Sequence, residues 1–285
     1  MSVAVLLLDC QCIYQTIIAG IQTGKKLSLL ESDCRIFGTQ MKECGLTNTL
    51  TLTICCWLPI VQLMGKEESL LPIAGINADH RLEDLLALHR EDNTISAKIN
   101  TMRSLLYAIF GEHEKGANLA IEKGDSWAKA SPGHFWIMID TFYRAIALYA
   151  WARQTKLRRY KKHAKQLHET IKKWGRIGVP SVGHYEKILN AESSLLKGDF
   201  DAAEGWYRAG LVLASKSGFL ADAAIANERL GELLLNHRND TTSALYQIDE
   251  AHRLYVEWGA DDKAKMLLTK YENLRPRPTE IVVEP

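Results

Sequence analysis

The stretch from Ala191 to Ala214 constrains the fold of this chain more than any other. It reads AESSLLKGDFDAAEGWYRAGLVLA. Its small residues let two antiparallel helices approach closely, and Gly198 with Asp199 supplies the corner between them. Phe200 and Tyr207 are placed to fill the space between the two helices. The stretch therefore predicts a helical hairpin, and because one hairpin cannot bury its own apolar face, it also predicts like hairpins on either side.

The pattern recurs along the chain. Ala203 is followed 41 residues later by Ala244, and Gly218 by Gly259 at the same spacing. A fixed period of this size predicts stacked helical pairs. The residues that we expect to pack these pairs together are Ala191, Gly198, Phe200, Ala203, Tyr207, Gly210, Gly218, Ala244, Ile248, Ala251, Trp258 and Gly259.

Hairpins of this type are similar to tetratricopeptide (TPR) repeats, although a period of about 41 exceeds the standard length of about 34. We therefore predict an all-α fold, a TPR-like α-solenoid of about six helical hairpins wound as a right-handed superhelix over residues 1–274. Residues 275–285 contain two Arg-Pro pairs and predict a linker or frayed tail. Neither terminus looks like a polar capping helix, which favours a piece of a longer protein.

Several helices can be assigned from their periodicity. Apolar positions predict helices near 2–22, 26–43 and 47–64, with Asn93 and Thr94 capping a later one. A single return helix is expected over 115–130. The helix from 134 to 151 carries aromatic residues at seven-residue intervals, a spacing that indicates core packing.

The near-zero net charge excludes a strong electrostatic field around the whole molecule. The chain has 35 Lys and Arg against 34 Asp and Glu, a net charge of +1. Any electrostatic partner must therefore recognise a local patch. At 47% hydrophobic and 24% charged, the chain has enough apolar residues for a large core.

The cysteines indicate a reducing, cytoplasmic location. All six lie in the first 56 residues, on apolar segments that read as helices, and none forms a C-x-x-C pair. We expect buried free thiols at Cys10, Cys12, Cys34, Cys44, Cys55 and Cys56. The 22 uncharged residues between Glu43 and Lys66 are long enough to cross a bilayer, but polar residues dilute them, so a buried helix is the favoured interpretation over a membrane span.

One segment is strongly basic. Between Arg153 and Arg176 there are ten Lys or Arg residues and one acid, Glu169. Apolar residues recur every three or four positions, which places the charges on the opposite face and favours a solvated outer surface. The alternative is an anion- or nucleic-acid-binding protein that uses this basic helix, 153–176, with contacts at Arg158, Arg159, Lys161, Lys162 and Lys165.

No catalytic, cofactor-binding or metal-binding constellation is found. The nearest phosphate-loop candidate, Gly20 to Lys26, has three residues between its glycines and a lysine where Ser or Thr is needed. His113-Glu114 has no second histidine four positions after the first, so it is not a zinc-protease motif. The sequence thus predicts a protein that is not an enzyme, has no cofactor and takes no small-molecule substrate.

Several passages carry a family resemblance. They include Leu106–Lys115 and the run YVEWGA at Tyr255–Ala260, followed by Lys263 or Lys265 and by Tyr271. The chain resembles the helical-repeat region downstream of the AAA-type ATPase module in multidomain signalling proteins, which also contain serine/threonine-kinase-like, GAF and histidine-kinase domains. In that family a proline commonly follows the tyrosine, whereas Glu272 stands here.

The resemblance implies signal transduction by interaction rather than by chemistry. We therefore expect a non-catalytic helical-repeat scaffold for protein-protein or interdomain interaction, a fragment or relative of an ATPase/kinase signalling protein. Its expected partner is a protein or peptide in the groove of the solenoid, or a neighbouring kinase, ATPase or GAF domain. Nucleic acid and membrane are the less favoured partners.

Overall fold

The computed structural model describes residues 3–66, 82–130, 133–179 and 181–274. The regular structure in these ranges is helical throughout. The helices are α1 (Val3–Gln22), α2 (Leu27–Glu43), α3 (Thr47–Met64), α4 (Leu82–Leu88), α5 (Asn93–Phe110), α6 (His113–Lys123), α7 (Ser126–Ala130), α8 (Trp136–Thr155), α9 (Arg158–Arg176), α10 (Gly183–Lys197), α11 (Phe200–Lys216), α12 (Leu220–Leu233), α13 (Thr241–Trp258) and α14 (Asp261–Lys270). The all-α prediction is confirmed for this part of the chain; the predicted tail, 275–285, lies outside it.

Aspartates begin several of these helices. Asp199 caps α11 by accepting from the Ala202 amide at 3.1 Å, and Asp240 caps α13 through the Ser243 amide at 3.0 Å. For α5 the cap is Asp92, whose carboxylate accepts from the amides of the second and third helical residues at 2.9 Å each. The predicted cap at Asn93 and Thr94 is therefore wrong by one residue, because Asn93 is already the first residue of the helix.

Two helices predicted as continuous are broken. The return helix expected over 115–130 ends at Lys123, and Gly124, with φ of +52°, separates it from α7. The basic segment 153–176 is likewise not one helix, because Lys156 adopts φ of +58° and ends α8. Arg153 thus belongs to α8, and α9 begins only at Arg158. Breaks of one or two residues leave the apolar periodicity intact, so the pattern does not reveal them.

Helices joined by short turns pack against each other. These pairs are α2 with α3, α8 with α9, α10 with α11, and α12 with α13. Asp222 on α12 ties three helices together, since it accepts from the Tyr143 hydroxyl of α8 at 3.1 Å and lies 2.9 Å from His184 Nε2 of α10. Helix α14, near the C-terminal end of the described residues, also packs on α3. As a result α8 and α12 are buried on nearly all sides.

Glycines allow the closest crossings between paired helices. A Cβ at Gly210 of α11 would lie 2.9 Å from Ile188 Cγ1 of α10. A Cβ at Gly231 of α12 would lie 2.8 Å from Ile248 Cγ1 of α13. Real Cβ atoms do not approach so closely, so both helix pairs depend on a residue without a side chain.

The buried apolar residues of the described ranges form one core. The aromatic residues Trp136, Phe142, Tyr143 and Tyr149 of α8 are buried, as their spacing predicts. Phe142 stacks on Tyr185 of α10 with ring centroids 4.1 Å apart. These contacts join neighbouring helix pairs through aromatic surface.

Helix α3 is long and apolar enough to cross a membrane, and 72% of it is buried within the fold. It packs against α1, α2, α5 and α14, as a core helix does. Its Cys55 and Cys56 are buried free thiols, and Cys34 of α2 is a third. Cys12 and Cys44 are free but exposed, so the prediction of burial is wrong for them.

Candidate functional site

Three glutamates, two of them buried and one partly exposed, place their carboxylates between α8, α12 and α14. They are Glu192 on α10 and Glu228 and Glu232 on α12. Each accepts hydrogen bonds from one tyrosine hydroxyl and one cationic side chain, which supplies the compensation that a buried carboxylate requires.

Glu192 is completely buried. One carboxylate oxygen accepts from the Tyr207 hydroxyl at 2.7 Å, and the other accepts from the Arg153 guanidinium. Burial alone would raise the pKa of Glu192, but Arg153 and Arg229 outweigh it and hold that pKa below its usual value. The carboxylate is therefore ionised at neutral pH.

The two carboxylates on α12 are satisfied in the same way. Glu228 accepts from Lys263 Nζ at 2.9 Å and from Tyr255 at 3.1 Å. Glu232 accepts from Lys270 Nζ at 2.7 Å and from Tyr271 at 3.3 Å. Burial raises the pKa of Glu232, but Arg229 and Lys270 together lower it to about 2.

Arg229 is a fourth cation at the centre of this group. It is 7% exposed, and its nitrogens lie 3.8 Å from Glu192 Oε1 and 3.6 Å from Glu232 Oε2, beyond hydrogen-bonding distance. Its Nη2 lies 3.1 Å from His113 Nε2. A guanidinium can only donate, so this histidine nitrogen accepts and the ring is neutral. Burial has the largest effect on the pKa of His113 and the charge of Arg229 the next largest. Together they lower that pKa to about 2.

A cavity of about 720 Å³ lies beside Arg229. It is bounded by the α5–α6 turn, the end of α8, one side of α12 and the last turns of α14. The charged and polar side chains that line it include Arg153, Gln154, Glu232, Asn236, Thr269 and Lys270. Its apolar lining residues are Ala108, Phe110, Ala150, Ile225 and Met266.

A second cavity, of about 880 Å³, lies on the other side of the α5–α6 turn, and Phe110 lines both. Its apolar surface includes Leu106, Tyr107 and Leu119. Its carboxylates outnumber its cations, Arg103 and Lys115. The acidic residues that line it are Glu83, Asp84, Glu112, Glu122 and Asp262.

The residues predicted to pack the repeats are buried, half-buried or at turns between helices. Those that are buried are Ala191, Ala203, Tyr207, Gly210, Ala244, Ile248, Ala251 and Trp258. Those that adopt positive φ at turns are Gly198, Gly218 and Gly259. Phe200 is half-buried and stacks on His237 with ring centroids 4.2 Å apart.

The predicted basic surface lies on α9. Its five residues, Arg158, Arg159, Lys161, Lys162 and Lys165, are all exposed. Among the described residues none of the five forms an ion pair, whereas Lys172 and Arg176 of the same helix both pair with Glu169. Arg159 is partly held in place, because its guanidinium lies over the Tyr160 ring and donates to its hydroxyl at 2.7 Å.

Sequence reasoning missed the interior charge cluster. Glu192, Glu228 and Glu232 stand within apolar helical runs, where an isolated acid can be read as a surface position. Their partners come from other helices, up to 39 residues away in sequence. The available signal concerns α12 alone: Glu228 and Glu232 lie on a helix in which most other positions are apolar or small, which leaves little room for a solvent-facing side.

The structure does not support the phosphate-loop candidate. Lys25, from the phosphate-loop candidate, donates to Asp33 at 2.7 Å and follows a helix rather than a strand. Within the ranges that the structure describes, no group of three or more His, Cys, Asp or Glu side chains is placed to hold a metal ion.

No protein-family model matches the chain, and no curated protein matches it in sequence. Function must therefore be inferred from the cavities and surfaces themselves.

Proposed function

We propose that this chain is a non-catalytic helical-repeat scaffold, a cytoplasmic TPR-like solenoid of about six hairpins in a right-handed superhelix. Its partner is a protein segment, either from a separate protein or from the kinase, ATPase or GAF domains of a multidomain signalling protein. The packing of consecutive helices in pairs and the 41-residue recurrence support a repeat of helical hairpins.

The acidic cavity beside the α5–α6 turn is the observation that carries the proposal. At about 880 Å³ it exceeds the space of a few side chains. Leu106, Phe110 and Leu119 provide apolar surface in it, while Glu122 and Asp262 are exposed carboxylates at its margin. An apolar floor with an acidic rim complements a basic segment that carries one or two large apolar anchors.

Selection from a random-peptide phage library tests this proposal. We expect enriched peptides to combine Lys or Arg with an aromatic or branched aliphatic residue. An enriched peptide is then synthesised, and its affinity for the chain is measured by fluorescence anisotropy. We expect the Glu122→Arg/Asp262→Arg double variant to bind it at least tenfold more weakly than wild type. The control, Asp249→Arg/Glu250→Arg on α13, makes the same charge change away from the cavity. Peptides that bind both variants equally would exclude the acidic cavity as the binding site.

The exposed surface of α9 supports a second candidate function, binding of a polyanion such as single-stranded nucleic acid. Its cations at Lys161, Lys162 and Lys165 are not neutralised by neighbouring carboxylates in the described structure. The triple Lys→Gln variant should retain its stability within about 0.5 kcal/mol, because these side chains are exposed. For oligo-dT binding, log K falls as log salt rises. The magnitude of that slope should be smaller by about 2 in the variant, at about 0.7 for each lost phosphate contact. An unchanged slope would rule out this surface.

A further inference from the structure

We propose that the cavity between α8, α12 and α14 binds a small organic carboxylate with one negative charge and an apolar body. Such a site adds a ligand to the scaffold and does not depend on which protein partner the scaffold binds. The sequence, by contrast, predicts that the protein takes no small-molecule substrate.

The proposal rests first on the charges of this cluster, which is buried except at the partly exposed Lys270–Glu232 pair. Arg153, Lys263 and Lys270 each pair with a glutamate of their own, and each of those glutamates is completed by a tyrosine hydroxyl. These three units are neutral. Arg229 is the fourth cation against three carboxylates: it is shared between Glu192 and Glu232, at 3.8 and 3.6 Å, and is hydrogen-bonded to neither. Both of its ion pairs are longer than a hydrogen bond, so a ligand carboxylate that accepts directly from the guanidinium would add a closer, charge-assisted interaction.

The hydrogen-bonding capacity of Arg229 points in the same direction. A guanidinium has five N–H donors in a fixed fork that matches a carboxylate. Among the described residues, its hydrogen bond goes to His113 Nε2, a neutral acceptor. Arg229 itself lines the 720 Å³ cavity, together with Arg153 and Lys270. These groups can hold a carboxylate at the centre of the cluster without breaking any of the three glutamate units.

The rest of the cavity defines the class of ligand. Its volume falls within the range of about 300 to 1,000 Å³ that is typical of small-molecule sites. Phe110, Ile225 and Met266 offer apolar contact, and Gln154, Asn236 and Thr269 are polar groups that can fix orientation. With a surplus of one positive charge, a monocarboxylate attached to a ring or branched chain matches the site better than a dianion such as phosphate.

Titration calorimetry of the full chain tests the proposal, with 3-phenylpropionate as the probe. We expect saturable binding at one site per chain. Affinity should be at least tenfold lower for 3-phenylpropionamide, which keeps the shape but loses the charge, and for inorganic phosphate, which keeps charge but loses the apolar body. Equal binding of the acid and the amide, or no saturable binding of the acid, would overturn the proposal.

Two variants locate the site. Arg229→Gln removes the surplus charge, and Thr269→Trp fills the cavity from an exposed position on α14. Each should weaken 3-phenylpropionate binding at least tenfold, whereas Arg253→Gln, an exposed arginine on α13, should leave it unchanged. Because Thr269 is exposed, Thr269→Trp should fold even where Arg229→Gln does not. Wild-type affinity in folded Thr269→Trp would place the ligand elsewhere and overturn the assignment.

Discussion

Lys263 and Glu228 form an ion pair inside the fold, with Nζ 2.9 Å from Oε1 and no exposed surface on the lysine side chain. Lys263→Met removes one partner and leaves the carboxylate with only the Tyr255 hydroxyl. An uncompensated buried charge of this kind costs about 3 to 5 kcal/mol. We expect urea denaturation to show a loss of that size in the free energy of unfolding.

The double variant Lys263→Met/Glu228→Leu separates the energy of the Lys263–Glu228 ion pair from the loss of packing around the two side chains. Replacing both charges by apolar groups of similar size is often nearly neutral, so the double variant should be more stable than Lys263→Met alone. The exposed pair Arg253 and Glu250 serves as the control, and Arg253→Met should cost less than about 1 kcal/mol. Strictly additive losses in the double variant would contradict a coupled pair.

The crossing of α10 and α11 depends on Gly210. In Gly210→Ala the new Cβ would lie 2.9 Å from Ile188 Cγ1 and 3.4 Å from the Ile188 amide nitrogen, so the backbone cannot simply yield. Overpacking costs about 1 to 3 kcal/mol, which exceeds the gain of about 1 kcal/mol from replacing a helical glycine. We expect a net loss of about 1 kcal/mol in the free energy of unfolding, measured by urea denaturation.

Gly205→Ala is the matched control in the same helix. A Cβ at Gly205 meets no atom within 4 Å, so the substitution should raise stability by about 0.5 to 1 kcal/mol. A stabilising Gly210→Ala would show that the two helices are not held at this distance.

The helical architecture could be read from the sequence because local signals agree with it. Thr47 and Met64 bound α3 as the apolar pattern predicts, and the Gly198-Asp199 corner separates α10 from α11. Glycine at positive φ followed by an aspartate cap is a short-range signal, so no tertiary information is needed to find it.

The interior site could not be read in this way, because it depends on contacts between distant helices. Arg229 meets His113, 116 residues away, and Arg153 meets Glu192, 39 residues away. Periodicity assigns each charge to a face of its own helix but cannot tell that a second helix covers that face. The break at Lys156 was missed for a different reason, since a non-glycine residue at positive φ has no reliable sequence signature.

Asp92, rather than Asn93, should control the stability of the α5 start. Its carboxylate accepts from the amides of Thr94 and Ile95, so Asp92→Ala leaves both donors without this partner. Loss of such a cap costs about 1 kcal/mol, which urea denaturation can resolve. Asn93→Ala is the control, and because Asn93 makes no capping bond its effect should stay within about 0.5 kcal/mol. Equal losses in the two variants would argue against the Asp92 cap.

Glu232 should make stability depend on pH in the acidic range. Arg229 and Lys270 overcome the effect of burial and hold its folded-state pKa near 2, below the value of about 4.5 for the unfolded chain. A carboxylate with a lowered pKa contributes stability that is complete above about pH 4.5 and is lost as pH falls towards 2. Wild type should therefore exceed Glu232→Gln in melting temperature at pH 7, and the difference should narrow between pH 5 and about 2.5.

Thermal unfolding followed by circular dichroism from pH 7 to 2.5 measures this narrowing. Glu250→Gln provides the comparison, because Glu250 lies on the outer side of α13 beside Arg253 and not in the cluster. Its melting temperature should follow that of wild type at every pH. A gap between wild type and Glu232→Gln that stays constant down to pH 2.5 would mean that Arg229 and Lys270 do not favour the ionised carboxylate in the folded chain.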